Sequence, residues 1–224
     1  MKDIFDYEED LVNTFIDNFL MGRNNNILIK EMPIRWGNID IVSITNNNLP
    51  FTKAQMDILS KPTHAKIFLK TKNHRPIKKE NLIKNIGASK STCESAIRDL
   101  LKNNLIMEYD NFYYRNIDFV FPKVVISGYE AKLKDYKKAF YQACINKSYV
   151  DLSYMVFPIN IAQKILKSKK AILEEQGIGL IGTSLKKSNI LIQAKKQDEL
   201  KPYLRLINLV QSQYILQNLQ EASL

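Results

Sequence analysis

Residues 124–133, Val-Val-Ile-Ser-Gly-Tyr-Glu-Ala-Lys-Leu, form an apolar run that ends in two charged side chains. The run predicts a buried β-strand, and alternation along a strand puts Glu130 and Lys132 on the same face. Burying a carboxylate and an ammonium costs free energy unless the two groups pair with each other or bind a ligand. The alternative interpretation is a solvated strand end that carries a weak ion pair.

The residues around this strand extend the pattern in both directions. Residues 134–143 predict a helix that contains Gln142, and residues 149–158 predict a further apolar strand ending at Pro158. Earlier in the chain, the apolar strand within residues 37–42 carries Asp40. A lone carboxylate in such a strand needs a partner, a metal ion or a proton.

In this order, the motifs resemble the PD-(D/E)xK nuclease superfamily, the restriction-endonuclease-like enzymes. The likeness rests on the Asp40 strand, the Glu130-x-Lys132 strand and the Gln142 helix, and it covers residues 5–49 and 117–195. One departure from the usual pattern is Ile39, where Pro often precedes the Asp. The resemblance implies an α/β fold with a restriction-endonuclease-like mixed sheet flanked by helices.

The same resemblance implies a metal-dependent DNA endonuclease that hydrolyses phosphodiester bonds. Asp40, Glu130 and the Ala131 carbonyl are expected to bind Mg²⁺ or Mn²⁺, which prefer oxygen ligands. Lys132 would orient or deprotonate the attacking water and stabilise charge on the scissile phosphate. Gln142 would support the site from the following helix.

The N-terminal segment predicts an amphipathic helix over residues 6–21, with an apolar face at helical spacing. In the resembled family, a glutamate of the first helix often leans into the active site. Glu8 fits that role because it shares a stripe with Val12 and Phe15. The alternative is that Glu8 only complements the helix dipole from the first turn.

Residues 50–116 have a different character. They predict a helix from 52 to 72 with a break at Lys61-Pro62, a short helix over 78–86, a third over 90–103, and a hairpin with Asp110-Asn111 at its tip. Three helices followed by a β-hairpin resemble a winged helix-turn-helix. This segment is therefore interpreted as a winged-helix insertion, which leaves a discontinuous core at 1–49 and 117–224.

The charge of the inserted segment favours contact with double-stranded DNA. It holds thirteen Lys or Arg against six Asp or Glu, the concentration that phosphate contacts require. The third helix would enter the major groove with five side chains, namely Lys90, Ser91, Thr92, Ser95 and Arg98. The alternative is a purely protein-binding winged helix. A separate alternative, for the whole chain, is a DNA-binding regulator or defence-system subunit with a non-cleaving nuclease-like core.

A final helix, Pro202 to Leu219, carries an apolar stripe that includes Tyr203, Ile207 and Val210. We assign the stripe to core packing rather than to a dimer seam, although the resembled family often forms homodimers. A homodimer therefore stays open as an alternative.

Composition restricts the partners further. The formal net charge is +10 and the pI is about 9.4, which favours a polyanion, with nucleic acid ahead of a membrane surface. Cys93 and Cys144 give neither a disulfide framework nor zinc spacing. No apolar run reaches the roughly 18 residues of a transmembrane helix, and the N-terminus lacks signal-peptide features. We therefore expect a cytoplasmic protein with no membrane partner.

Overall fold

A computed structural model describes residues 5–21, 26–34, 37–45, 48–197 and 200–222. The chain divides into two compact units, each built from two separate segments. The first unit comprises Met1–Asn46 and Val124–Leu200, and the second comprises Asn47–Lys123 and Lys201–Leu224.

The first unit contains a six-stranded mixed sheet. Its strands are β1 (Asn26–Ile34), β2 (Gly37–Thr45), β6 (Ile126–Ala131), β7 (Leu152–Pro158), β8 (Gly179–Thr183) and β9 (Ser188–Ile192), and they lie side by side in that order. The β6–β7 and β7–β8 pairs are parallel, and the other three pairs are antiparallel. The expected mixed sheet is therefore confirmed, and the Val124–Leu133 run supplies one of its two central strands.

Helices cover both faces of this sheet. On one face lies α1 (Glu8–Phe15), continued by a π-helical turn (Ile16–Leu20). On the other face lie α6 (Tyr136–Asn146) and α7 (Ile159–Gln176). Because side chains alternate along a strand, β7 contributes to both cores. Tyr154 and Val156 pack in the α1 cluster, whereas Met155 and Phe157 pack in the α6–α7 cluster.

The second unit combines helices with a small antiparallel sheet. The helices are α2 (Lys53–Leu59), α3 (Pro62–Lys70), α4 (Lys79–Ile83), α5 (Lys90–Lys102) and α8 (Pro202–Ala222). The strands β3 (Ile77–Lys78), β4 (Ile106–Tyr109) and β5 (Phe112–Arg115) lie in the order β3-β5-β4. The break expected at Lys61-Pro62 separates α2 from α3, because proline is favoured in the first turn of a new helix.

The C-terminal helix differs from the sequence expectation. The expected nuclease-like core of residues 117–224 includes this helix, but α8 packs against α2 and α3 in the second unit. Its Leu206, Leu209 and Val210 are buried, and Gln213 Oε1 accepts a hydrogen bond from the Leu49 backbone N–H at 2.9 Å. Periodicity shows which stripe of a helix is apolar, but it does not show which surface the stripe covers.

No helix in the described part of the chain is both long enough and apolar enough to cross a bilayer.

Candidate functional site

The candidate site lies where the β2–β6 ladder ends. The last paired residues are Ile41 and Tyr129, and both pack in the α1 cluster. Alternation therefore directs Glu130 toward the opposite face of the sheet, whereas Asp40 lines a cleft together with Glu8 of α1. Beyond the ladder, the backbone N–H of Ala131 donates to Asp40 Oδ2 at 2.9 Å. A side-chain carboxylate thus continues the pairing at the strand end.

Lys132 lies one residue beyond β6, so strand alternation does not set its direction. Its backbone N–H donates to the Val156 carbonyl of β7 at 3.1 Å. Its Nζ lies 3.0 Å from Asp40 Oδ2, 2.8 Å from the Ala131 carbonyl oxygen and 3.4 Å from Glu8 Oε2. A buried ammonium is therefore surrounded by three oxygen atoms.

The charge of this ammonium is preserved by its neighbours. Burial acts to lower the pKa of Lys132, but the Asp40 carboxylate outweighs this effect, with help from Glu8, and the pKa ends above its ordinary value. Lys132 is consequently a hydrogen-bond donor and a positive charge at neutral pH, and a poor proton acceptor.

Glu130 is completely buried. Its Oε1 accepts a hydrogen bond from Asn146 Nδ2 at 2.6 Å, whereas its Oε2 has no hydrogen-bond partner among the described residues. Burial, followed by the nearby Asp40 charge, raises the pKa of Glu130 to about 8, against opposing effects of Asn146 and Lys132. A buried carboxyl oxygen without a partner is costly, so it marks a position where a ligand or a proton would be bound.

The helix α6 reaches this carboxyl group through Asn146. Gln142, the residue expected here from the family resemblance, is half-buried, and its Oε1 has no hydrogen-bond partner in the described chain. Asn146 follows Gln142 by four residues and so shares its helix face, next to the buried Ala139 and Ala143. The signal available in the sequence was an amide on the helix face of Ala139 and Ala143, but Asn146 was not among the residues expected at the site.

A cleft of about 320 Å³ opens beside these groups. Its lining includes Glu8 of α1, Lys30 of β1, Asp40 and Ala131. Glu8, chosen from the sequence, does reach the site, because its carboxylate contacts Lys132 while half of its side chain stays exposed. Lys30 donates instead to Asn13 Oδ1 at 2.8 Å.

The Lys132 ammonium contacts oxygen atoms, the ligand type that hard divalent ions also prefer. Asp40, Glu8 and the Ala131 carbonyl supply oxygen atoms around Lys132 Nζ, and the Glu130 carboxyl lies close enough for the Asp40 charge to raise its pKa. Oxygen ligands of this kind suit Mg²⁺ and Mn²⁺. Within the described ranges, no three His, Cys, Asp or Glu side chains are grouped closely enough to hold a metal ion by themselves. The cation at the centre of the oxygen cluster is the ammonium of Lys132.

The second unit presents a separate polar surface on α5. All five side chains selected from the sequence are exposed, namely Lys90, Ser91, Thr92, Ser95 and Arg98. The opposite face is buried through Cys93, Ala96, Ile97 and Leu100. The Ser89 hydroxyl caps the helix by accepting from the Thr92 N–H at 3.1 Å.

The two carboxylates of α5 are paired with basic side chains of other elements. Glu94 lies 3.0 Å from Lys79 Nζ, and Asp99 lies 3.0 Å from His64 Nε2. Because these carboxylates are engaged elsewhere, the exposed stripe of α5 carries hydroxyl groups and positive charges.

Comparison of the chain with protein-family models, with curated proteins and with solved structures found no match in any of the three.

Proposed function

We propose that the chain is a Mg²⁺- or Mn²⁺-dependent endonuclease that hydrolyses phosphodiester bonds of double-stranded DNA. The observation that carries this proposal is the meeting of Asp40, the Ala131 carbonyl and Lys132 at one strand end, with the Glu130 carboxyl, whose Oε2 has no hydrogen-bond partner among the described residues, interacting with Asp40. The PD-(D/E)xK type of site uses the same residue types in the same order along the chain.

Each residue of the site would have a distinct role in the reaction. A bound divalent ion would supply Lewis-acid stabilisation of the scissile phosphate and of the attacking water. Asp40, Glu130 and the Ala131 carbonyl would hold that ion, and Glu8 would reach it from α1. Because Lys132 keeps its proton, it would hold a phosphate oxygen or the attacking water by charge and hydrogen bond. Asn146 would keep the Glu130 carboxyl in its orientation.

The second unit supports a role in DNA targeting. Along the chain, α2 and α3 are followed by β3, the short helix α4, the helix α5 with its exposed basic stripe, and the β4–β5 hairpin, an order that resembles a winged helix-turn-helix. We assign α5 as the recognition helix that enters the major groove. Its paired carboxylates leave Lys90 and Arg98 available for phosphates or bases.

The test is a cleavage assay with purified protein on plasmid and single-stranded DNA, each with Mg²⁺, Mn²⁺ or EDTA. We expect nicking or linearisation of the plasmid with either metal and none with EDTA. Asp40→Asn and Glu130→Gln should abolish it, while the matched exposed changes Asp17→Asn and Glu175→Gln should not. Cleavage that persists in both site variants would place the activity elsewhere or in a contaminant.

A second candidate is a DNA-binding regulator whose core does not cleave. The observation in its favour is that Lys132 already neutralises the oxygen cluster, as a purely structural ion-pair network would do. This candidate predicts duplex binding without cleavage under any metal condition, and it predicts that Asp40→Asn affects stability alone.

A further inference from the structure

The ammonium of Lys132 occupies the point that the proposed function gives to a metal ion. Its Nζ contacts Asp40 Oδ2, the Ala131 carbonyl oxygen and Glu8 Oε2 at 3.0, 2.8 and 3.4 Å. Two of these atoms are the oxygens expected to ligate Mg²⁺. The side chain of Lys132 is only 6% exposed, so these contacts replace most of its hydration.

One oxygen cluster cannot bind two cations at full strength. Mg²⁺ binds oxygen at about 2.0–2.1 Å, so an ion bound to Asp40 Oδ2 would lie no more than about 5 Å from the ammonium, whose Nζ is 3.0 Å from the same oxygen. Like charges this close, away from bulk water, repel each other strongly. A divalent ion can therefore bind fully only after Nζ leaves at least some of these oxygens.

We propose that Lys132 acts as an internal counterion that competes with the divalent ion for the oxygens of Asp40, Ala131 and Glu8. This inference rests on the proposed metal site. The competition keeps the clustered carboxylates neutralised while no metal is bound, and it weakens metal affinity. Metal binding and a change in the position of the Lys132 ammonium then form one coupled step.

Lys30 provides a matched control for the effect of charge alone. It lines the same cleft, carries the same charge, and donates to the neutral Asn13 Oδ1 rather than to the cluster. Removing its charge changes the field in the cleft, but it frees none of the three oxygens.

The first test measures Mn²⁺ affinity by electron paramagnetic resonance of the free ion, which needs no turnover. Removing a positive charge in contact with the site should tighten Mn²⁺ binding at least about tenfold in Lys132→Met. The Lys132→Gln variant keeps a hydrogen-bond donor and should behave similarly. The change in Lys30→Met should be several times smaller.

The second test measures the melting temperature in EDTA and over a series of Mg²⁺ concentrations, and it also reports whether each variant folds. Both Lys132 variants should melt lower than wild type in EDTA, because the carboxylates lose their counterion. Mg²⁺ should raise their melting temperatures more than that of wild type, since a ligand stabilises in proportion to its affinity.

The outcomes distinguish failure of the Lys132 competition from failure of the nuclease proposal on which it rests. Unchanged or weaker Mn²⁺ binding in both Lys132 variants, or equal tightening in Lys30→Met, would overturn the competition. If that occurs while wild type still cleaves DNA with metal, the nuclease proposal stands without it. If neither wild type nor the Lys132 variants bind Mn²⁺ and none cleaves DNA, both proposals fail.

Discussion

The charges of the first unit's cleft and those of α5 in the second unit differ in burial. Beside the cleft, Glu130 and Lys132 are buried, and hydrogen bonds join Glu130 to Asn146 and Lys132 to Asp40. On α5, Lys90 and Arg98 are exposed. Buried ionisable groups are held in fixed orientations and have shifted pKa values, as catalytic groups do. Solvated basic side chains instead bind polyanions with an affinity that falls as the salt concentration rises. The predictions below test this contrast.

The largest expected effect is on cleavage by the buried site. Asp40→Asn or Glu130→Gln should lower the cleavage rate by at least about a thousandfold, because electrostatic stabilisation at a preorganised site is worth several kcal/mol. The measurement is the single-turnover rate on a plasmid with saturating Mg²⁺. Circular dichroism serves as the control for folding. A loss below tenfold in both variants would contradict the assignment of these carboxylates.

The raised pKa of Glu130, to about 8, predicts a pH dependence of stability. Between its ordinary value of 4.5 and 8, the folded protein binds this proton more tightly than the unfolded chain does. The contribution of Glu130 to the free energy of unfolding is therefore fully present below about pH 4.5 and is lost as the pH rises toward 8.

Denaturant unfolding in EDTA at pH 5, 6, 7 and 8 measures that loss. Wild type should lose a few kcal/mol over this range through Glu130, and Glu130→Gln should show a flatter profile. If the unfolding free energies of wild type and Glu130→Gln changed equally with pH, the raised pKa of Glu130 would be contradicted. Glu175→Gln, an exposed change on α7, is the control for the substitution itself.

The exposed stripe of α5 should give a smaller, salt-sensitive effect. Changing Lys90 and Arg98 together to Gln should weaken duplex binding by about 1–3 kcal/mol and reduce the salt slope by roughly one for each lost phosphate contact. Fluorescence anisotropy at two salt concentrations measures both quantities. Lys164→Gln with Lys167→Gln, two exposed positions on α7, is a control of equal charge. If the α5 change altered neither the duplex affinity nor its salt slope, a protein-binding role for this unit would be favoured.

The smallest expected effect concerns the Asn146 amide. Asn146→Leu removes the donor to Glu130 Oε1, and a buried acceptor without a partner should cost about 1–2 kcal/mol of unfolding free energy. It should also raise the pKa of Glu130 further, because the amide opposes the shift. Unfolding at pH 6 and pH 8 tests both effects. Equal losses at the two pH values would indicate a packing role only.

The strands of the site were accessible to sequence analysis because their signals are local. An apolar run that ends in Glu130 and Lys132, and an apolar strand that carries Asp40, stand out through composition and alternation alone. Asn146 was missed because a buried asparagine on a helix resembles many structural asparagines until the strand that it faces is known. Gln142 was preferred through the family pattern, yet Asn146 makes the hydrogen bond to Glu130.

The sequence by itself determined most of the strands, the separate basic segment and the acidic and basic residues that meet at the site, because apolar periodicity and charge are properties of short segments. The mixed sheet was expected only from the family resemblance. Only the tertiary structure decided three further matters. It placed α8 against α2 and α3, it put the Lys132 ammonium at the centre of the oxygen cluster, and it buried Glu130 deeply enough to shift its pKa. Each of these depends on contacts between residues that are distant in the chain, or on the burial that such contacts produce.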